Sequence, residues 1–466
     1  MAVVKIEVIN EGKSGMFSRG IALSDALDRL GIAQSRPCGG NGTCGKCKVI
    51  ANGETVLACR YKVCSDTRVE VTGGGISVIG LTDAVMPELN KEPLISEGYG
   101  MAVDIGTTTI AGYIYKFPEC VCVKSCAVQN DQARFGADVI SRIDYARRGG
   151  LDALRDMVLG QIRELSKGYE IKKYVVTGNT TMLHFLTGKD PAGIAAAPFT
   201  PASLFGAWYG DMYIPGCISA YVGADVTAAI LASGMQKDSV SLLADIGTNG
   251  EMALWCDGRL VCCSTAAGPA FEGALISQGS LAVPGAINSV YIANGKVCYT
   301  TINDEPPSGI CGSGLIDAVA CMLSLDIIDQ TGYLEHDFEI GGSGVTITAD
   351  DIRQVQLAKS AICSGIETLL HECGIDSGDV DRFYISGGFG SYINKANAAY
   401  IGLIPARLVN RAVVIGNGAG AGAEMMLINK GCIARAEEIC AAAGTVELTG
   451  NSYFTERYLE NMYFNI

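Results

Sequence analysis

Cysteine supplies the first chemistry in this sequence. Arg36-Pro-Cys-Gly-Gly-Asn-Gly-Thr-Cys-Gly-Lys-Cys carries Cys38, Cys44 and Cys47 at C-x5-C-x2-C spacing, and Cys59 follows in Val-Leu-Ala-Cys. Such a set suits a [2Fe–2S] cluster, which takes four thiolates; its plant-type spacing, C-x4-C-x2-C with a distant fourth cysteine, differs by one residue. Backbone N–H groups must come close to the cluster sulfurs, and Gly39, Gly40, Gly42 and Gly45 permit that approach. The alternatives are a zinc ribbon or unrelated thiols; zinc usually takes two paired C-x2-C knuckles, and only one is present. Cys64 competes with Cys59 for the fourth position.

Carboxylates, hydroxyls and glycines supply a second chemistry, and they occur twice. Met101 opens Met-Ala-Val-Asp-Ile-Gly-Thr-Thr-Thr-Ile-Ala-Gly-Tyr, and Leu242 opens Leu-Leu-Ala-Asp-Ile-Gly-Thr-Asn-Gly-Glu-Met-Ala-Leu. Each reads as a strand, an Asp-Ile-Gly-Thr turn and the second strand of a hairpin. Such a turn sets a carboxylate beside oriented N–H groups and hydroxyls, which can cradle phosphates while the carboxylate holds hydrated Mg²⁺. Asp104 and Asp245 are the carboxylates; Gly106, Thr107 and Thr108, with Gly247, Thr248 and Asn249, are the phosphate-facing sets. The repeat implies a duplicated lobe with its two turns facing across a cleft. No Walker A sequence is present, so this is not a P-loop protein.

These residues need elements to position them. Strand patterns at Val3–Val8 and Arg68–Val71 bracket a short helix signal with Ser24 as its N-cap, an Asn52-Gly53 turn and the cysteine loop. Residues 1–72 therefore read as a small α+β domain. Gly73, Gly74 and Gly75 open a linker to residue 97, within which Ile76–Leu81 reads as one further strand. Residues 98–466 alternate strand and helix, an α/β pattern. A chain of 466 residues exceeds one core. Its 48% hydrophobic and 18% charged residues fit a globular protein, and no apolar run of membrane-spanning length occurs, so no membrane role is expected. A net charge of −14 without a basic cluster disfavours nucleic acid. Nineteen cysteines without a secretion signal fit a reducing cytoplasm, and an anaerobe. The three histidines are scattered, which disfavours histidine-rich metal sites.

The paired turns resemble those of the superfamily of actin, sugar kinases and heat-shock chaperone ATPases. In that light Tyr384-Ile-Ser-Gly-Gly-Phe-Gly looks like the adenosine-binding turn, with Gly387 and Gly388 against the nucleotide. The glycine-rich segments at Ile310 and Ile415 look like helices connecting the lobes. Asp225, in Val222-Gly-Ala-Asp-Val, stands where the superfamily has an acidic residue that orients the attacking water; its other reading is a helix N-cap.

A ferredoxin-like domain joined to such an ATPase resembles the reductive activators of corrinoid-dependent methyltransferases and corrinoid iron–sulfur proteins. Gly178-Asn-Thr-Thr-Met-Leu-His-Phe-Leu, Ala197-Pro-Phe-Thr-Pro, Ser264-Thr-Ala-Ala-Gly-Pro-Ala-Phe-Glu-Gly, Ile401-Gly-Leu-Ile-Pro and the closing Glu460-Asn-Met-Tyr-Phe carry that likeness. The resemblance implies an N-terminal ferredoxin-like [2Fe–2S] domain (1–72), a linker (73–97) and a duplicated, two-lobed actin-like ATPase fold (98–466). It implies ATP with Mg²⁺, catalytic Asp104, Asp225 and Asp245, and ATP-dependent return of a partner's inert Co(II) corrinoid to Co(I). The partner is then a corrinoid protein or corrinoid-dependent methyltransferase, served by an upstream electron donor, with a homodimer as the common assembly. No Asp-x-His-x-x-Gly corrinoid pattern occurs here, which leaves the corrinoid on the partner. Family members have a sizeable middle domain between ferredoxin and ATPase, whereas only residues 73–97 fill that gap in this reading. Other readings are an activator of a dehydratase or reductase, whose [4Fe–4S] cluster sits between two ATPase subunits, and a redox-sensing nucleotide-binding module. A small-molecule kinase would leave the cysteines without a task.

Overall fold

The computed structural model describes residues 3–32, 47–71, 87, 89–136, 138–387 and 393–464. Cys38, Cys44, Gly388 and the strand expected at 76–81 lie outside the described residues.

Among its described residues the N-terminal unit has a five-stranded mixed sheet and one α-helix: β1 (Val3–Val8), β2 (Lys13–Ser18), α1 (Leu23–Arg29), β3 (Lys48–Ala51), β4 (Glu54–Leu57) and β5 (Thr67–Val71). The strand order is β2-β1-β5-β3-β4, with β1 and β5 parallel and the other neighbours antiparallel. Every second residue of β1 and β5 (Val4, Ile6, Val8, Val69, Val71) turns inward against Leu23, Ala26 and Leu27 of α1, the period-two pattern meeting one helix face. Asn52 and Gly53 take positive φ (50° and 88°), as a two-residue hairpin turn requires.

Ser24 is not the N-cap expected of it. Ala22 holds that position without a side-chain cap, and Ser24 lies buried inside the first turn. The first N–H groups of α1 are satisfied by backbone instead: Leu23 donates to the Tyr61 carbonyl (2.9 Å) and Ser24 to that of Ala58 (3.0 Å). The turn carrying Cys59 thus caps the helix.

The rest of the chain is built on two six-stranded sheets that share a five-strand plan. The first comprises β6 (Gly98–Ile105), β7 (Thr109–Phe117), β8 (Val121–Gln129), β9 (Ile171–Gly178), β10 (Phe205–Tyr209) and β11 (Met212–Gly216), in the order β10-β11-β9-β6-β7-β8. It is accompanied by α2 (Val139–Tyr145), α3 (Leu151–Leu165), α4 (Thr180–Thr187) and α5 (Ala224–Ser233). The second sheet begins β12 (Val240–Ile246), β13 (Gly250–Cys256) and β14 (Arg259–Thr265). A subdomain follows, with β15 (Ala286–Ala293), β16 (Lys296–Thr301), β17 (Gly309–Ile310), α6 (Gly312–Ser324), β18 (Phe338–Glu339), β19 (Thr346–Ile347) and the long α7 (Ala349–Glu372). The chain then returns through β20 (Arg382–Ser386), α8 (Lys395–Tyr400), β21 (Ala412–Gly416), α9 (Gly418–Ile428), α10 (Gly431–Ala442), β22 (Ala443–Thr445) and α11 (Ser452–Glu460). The second sheet runs β21-β20-β12-β13-β14-β22. In both sheets an antiparallel three-strand meander is followed by a strand returning parallel to its first member, β9 beside β6 and β20 beside β12. That is the duplication visible in the sequence.

Both central strands are buried on two faces, and alternate residues feed different cores. Met101, Val103 and Ile105 face α2–α4, while Ala102 faces α5 and α9. Leu242, Ala244 and Ile246 face α6 and α7, while Leu243 shares the α5–α9 layer with Ala102. Helices α5 and α9 are therefore the layer between the sheets. A Cβ at Gly422 of α9 would land on the backbone of Ala228 in α5, so glycine sets their separation. Helix α6, expected to connect the lobes, instead belongs to the second lobe: its buried residues Leu315, Ile316 and Val319 pack in the core that lies outside the second sheet. Among the described residues no helix is long and apolar enough to cross a membrane.

Candidate functional site

The two Asp-Ile-Gly-Thr segments form the tips of the β6–β7 and β12–β13 hairpins. Each tip closes on the backbone N–H of its glycine, Gly106 donating to Thr109 O three residues on (2.9 Å) and Gly247 to Asn249 O two residues on (3.0 Å). The tips meet: the hydroxyls of Thr108 and Thr248 are 3.3 Å apart. Behind each tip lies a glycine that no other residue could replace without a clash. Gly178 (φ 154°) ends β9 against the Ile105 carbonyl, and Gly387 (φ 109°) follows β20 against that of Ile246, where added Cβ atoms would come within 2.6 and 2.5 Å. Gly387 is thus the partner of Gly178 in the duplicated plan.

Between the tips lies a cavity of about 620 Å³. Asp104, Gly106, Thr107, Thr108, Asp225, Asp245, Gly247, Thr248, Asn249 and Gly387 all line it, joined by Asn179, Glu251, Glu272 and Asn417. Asp225 sits in the first turn of α5 and is not its cap; Gly223 holds that position, and the Asp225 carboxylate accepts the N–H of Val226 (2.9 Å). The start of α9 touches both lobes. Its N-cap Asn417 donates to Asp104 (3.0 Å), and the Gly418 N–H reaches Ser386 Oγ (3.2 Å), which itself donates to Asp245 (2.7 Å).

Burial dominates the electrostatics. It pushes the Asp104 carboxyl up to about 7, a rise opposed by the Asn417 hydrogen bond and aided by Asp245. Asp225 is pushed up to about 8 by burial and then by the charges of Asp104 and Asp245. Asp245 is raised by burial, and Glu251 is raised well above the usual carboxylate range by burial and by Asp225. So many buried carboxyls around one cavity repel one another. Among the described residues no group of three or more His, Cys, Asp or Glu side chains is set to hold a metal ion directly, and a Mg²⁺ held by one or two carboxylates and its own waters is the kind of cation this lining would fit.

Arg142 is fully buried behind the first tip. Its guanidinium donates to the carbonyls of Thr107 (2.6 Å) and Gly136 (2.9 Å), and burial lowers it to about 10. It anchors the Thr107 carbonyl and sets a positive charge behind the first tip. Arg142, Glu251, Glu272, Asn417, Asn179 and Ser386 were not among the expected site residues. Glu251 is the hairpin partner of Asp245, and Glu272 lies in the 264–273 segment, so both had a sequence signal. Arg142 had none, because its role depends on how α2 folds back behind β6.

At the other site, Cys47 is buried and its sulfur lies 3.2 Å from that of Cys59. The Ala58 N–H donates to the Cys47 carbonyl (2.9 Å), joining the two segments beside α1. Cys64 is exposed.

The model of the C-terminal domain of RACo, described as the ASKHA domain, matches residues 239–466. The model of the RACo middle region matches 99–238. The corrinoid activation enzyme RamQ of Eubacterium limosum is 33% identical, with 81% of this chain and 72% of that protein covered. This chain belongs to the RACo family. A second relative, the [Co(II) methylated amine-specific corrinoid protein] reductase of Methanosarcina barkeri, is 27% identical over 71% of this chain and 70% of that protein. Among solved structures, a reductive activator for corrinoid, iron–sulfur protein superposes with a TM-score of 0.75 at 28% identity, covering 99% of this chain and 98% of that one. The two RACo matches divide between α5 and β12, at the junction of the duplicated lobes. They also correct one expectation: the RACo middle region is present, as the lobe built on the first sheet, and residues 73–97 do not stand in for it.

Proposed function

We propose that this chain is an ATP-dependent reductive activator that returns the Co(II) corrinoid of a partner protein to Co(I). The observation that carries the reading is the meeting of two matching turns over one carboxylate-lined cavity, in a chain whose relatives are named for activating corrinoid proteins. Thr107, Thr108, Thr248 and Asn249 bind the nucleotide phosphates, and Asp104 and Asp245 hold the hydrated Mg²⁺. Asp225, pushed up to about 8, is poised near neutral pH to take a proton from the attacking water. Gly387 lets the nucleotide approach the backbone after β20.

Residues 1–72 are read as a ferredoxin-like domain, with Cys38, Cys44, Cys47 and Cys59 holding a [2Fe–2S] cluster. The pairing of the Cys47 and Cys59 sulfurs fits two thiolates on one metal and favours Cys59 over Cys64 as the fourth ligand. When bound, that cluster supplies a one-electron carrier. Each ~59 mV of uphill gap to the cobalt costs ~1.4 kcal/mol, and nucleotide-driven rearrangement of the lobes around the partner supplies the difference. The cytoplasm is the compartment that suits such thiols.

The test mixes the protein anaerobically with a Co(II) corrinoid protein, a reductant and Mg-ATP, and follows Co(I) by its absorbance. Co(I) should form only with ATP and be lost in Cys44→Ala and Asp245→Ala. ATP hydrolysis without Co(I) across several corrinoid proteins would overturn the corrinoid assignment.

A further inference from the structure

Glu272 stands on the phosphate-facing donors of both lobes. Its carboxylate accepts the hydroxyl of Thr108 from the first tip, and the hydroxyl (2.5 Å) and N–H (3.2 Å) of Thr248 from the second. These are the groups that an oxyanion of a nucleotide would use, and a carboxylate satisfies them in the same way. One set of donors cannot serve both anions. Phosphate oxygens brought beside Glu272 would also meet its negative charge at close range, in a cavity already lined by Asp104, Asp225, Asp245 and Glu251. The side chain, and not the loop, is what can move. Glu272 ends the short helical turn Ala270–Glu272, and the next residue, Gly273 (φ 75°), is packed so tightly on the Ser280 backbone that a Cβ has no room there.

We propose that Glu272 competes with a nucleotide phosphate for Thr108 and Thr248: its carboxylate ties the two lobes together, and nucleotide binding displaces it. This inference rests on the nucleotide reading given above. It makes lobe closure an exchange of one anion for another, so that phosphate inherits a link between the lobes that Glu272 already makes.

The experiment uses the full chain with its cluster, handled anaerobically, as wild type, Glu272→Ala and Glu272→Gln. Affinities for a non-hydrolysable ATP analogue with Mg²⁺ and for adenosine are measured by calorimetry, and amide hydrogen exchange at residues 106–109 and 247–249 is followed without added nucleotide. Both variants should bind the triphosphate more tightly, Glu272→Ala by on the order of tenfold, the scale of one charge-assisted hydrogen bond removed from the competitor. Adenosine affinity should stay unchanged, and exchange at both tips should quicken in Glu272→Ala. Equal or weaker triphosphate binding in both variants overturns the proposal, since Glu272 would then be a ligand or a structural residue. Unchanged exchange at the tips overturns it as well, and Glu272→Gln keeps the test valid if the alanine variant misfolds. A wild type that binds neither the triphosphate nor adenosine sinks the nucleotide reading itself, while the exchange comparison still decides whether Glu272 ties the tips.

Discussion

On the function proposed above, protons and Mg²⁺ compete for the carboxyls of this cleft. Asp104 and Asp225, pushed up to about 7 and 8, hold protons at pH values where free aspartate has lost them. A divalent cation binds the deprotonated forms, so Mg-nucleotide affinity should rise as pH increases through about 7 to 8 and level off above. Binding at pH 7 should release protons, which calorimetry in buffers of differing ionisation enthalpy will count. The same shifts act on stability. With folded-state values above the unfolded ones, the folded protein binds more protons than the unfolded chain between about pH 4 and 8. Stability without Mg²⁺ should therefore fall as pH rises through that window, by up to ~1.4 kcal/mol per pH unit for each carboxyl concerned. Melting temperatures from pH 5 to 8.5, with and without Mg²⁺ and nucleotide, check the sign. The cysteines give a simpler forecast. Cys59→Ser should abolish the visible absorbance and bound iron of the proposed cluster, whereas Cys64→Ser should leave both intact, because of these two cysteines it is Cys59 whose sulfur lies beside Cys47.

Helix α9 is the element that joins most of these parts. Its N-terminus reaches Asp104 through Asn417 and Asp245 through Ser386, and its length is packed against α5 between the two sheets. Gly422→Val should force the helices apart and cost about 3 kcal/mol, as overpacking of a tight core does. Gly160→Ala, on α3 where a Cβ meets nothing within 4 Å, should add about 1 kcal/mol by helix propensity alone. Denaturant titrations of the two variants distinguish a glycine kept for packing from one that is not. The repeat and the glycine-rich segment were readable at this scale, because two-faced burial leaves apolar runs and close helix contact leaves small residues. The assignment of α6 to a lobe connection was not, since Gly-Ser-Gly marks a tight approach without saying to what; here Gly314 approaches the Ile287 backbone of β15.

At the scale of the molecule, α9 also meets the segment that leads from the N-terminal unit. Leu94 N–H donates to Leu427 O (3.1 Å), Lys430 N–H to Glu92 O (2.8 Å) and the Asn429 side chain to Asn90 O (2.8 Å). The helix and its flanking caps therefore contact Asp104 directly and Asp245 through Ser386 at one end, and the approach to the cysteine domain at the other. Asn429→Ala should leave ATP affinity unchanged yet weaken the ATP dependence of corrinoid reduction, read as the ratio of Co(I) formation rates with and without nucleotide. Local spacing and period were enough to read two Asp-Ile-Gly-Thr tips on a duplicated frame, and to single out four cysteines as candidate thiolates. The tertiary structure alone decided which groups share a cavity. Glu272 and Asn417 lie far along the chain from Thr108 and Asp104, and no local pattern records a contact made only when two sheets close over α5 and α9; Arg142 meets the first tip only because α2 folds back behind β6.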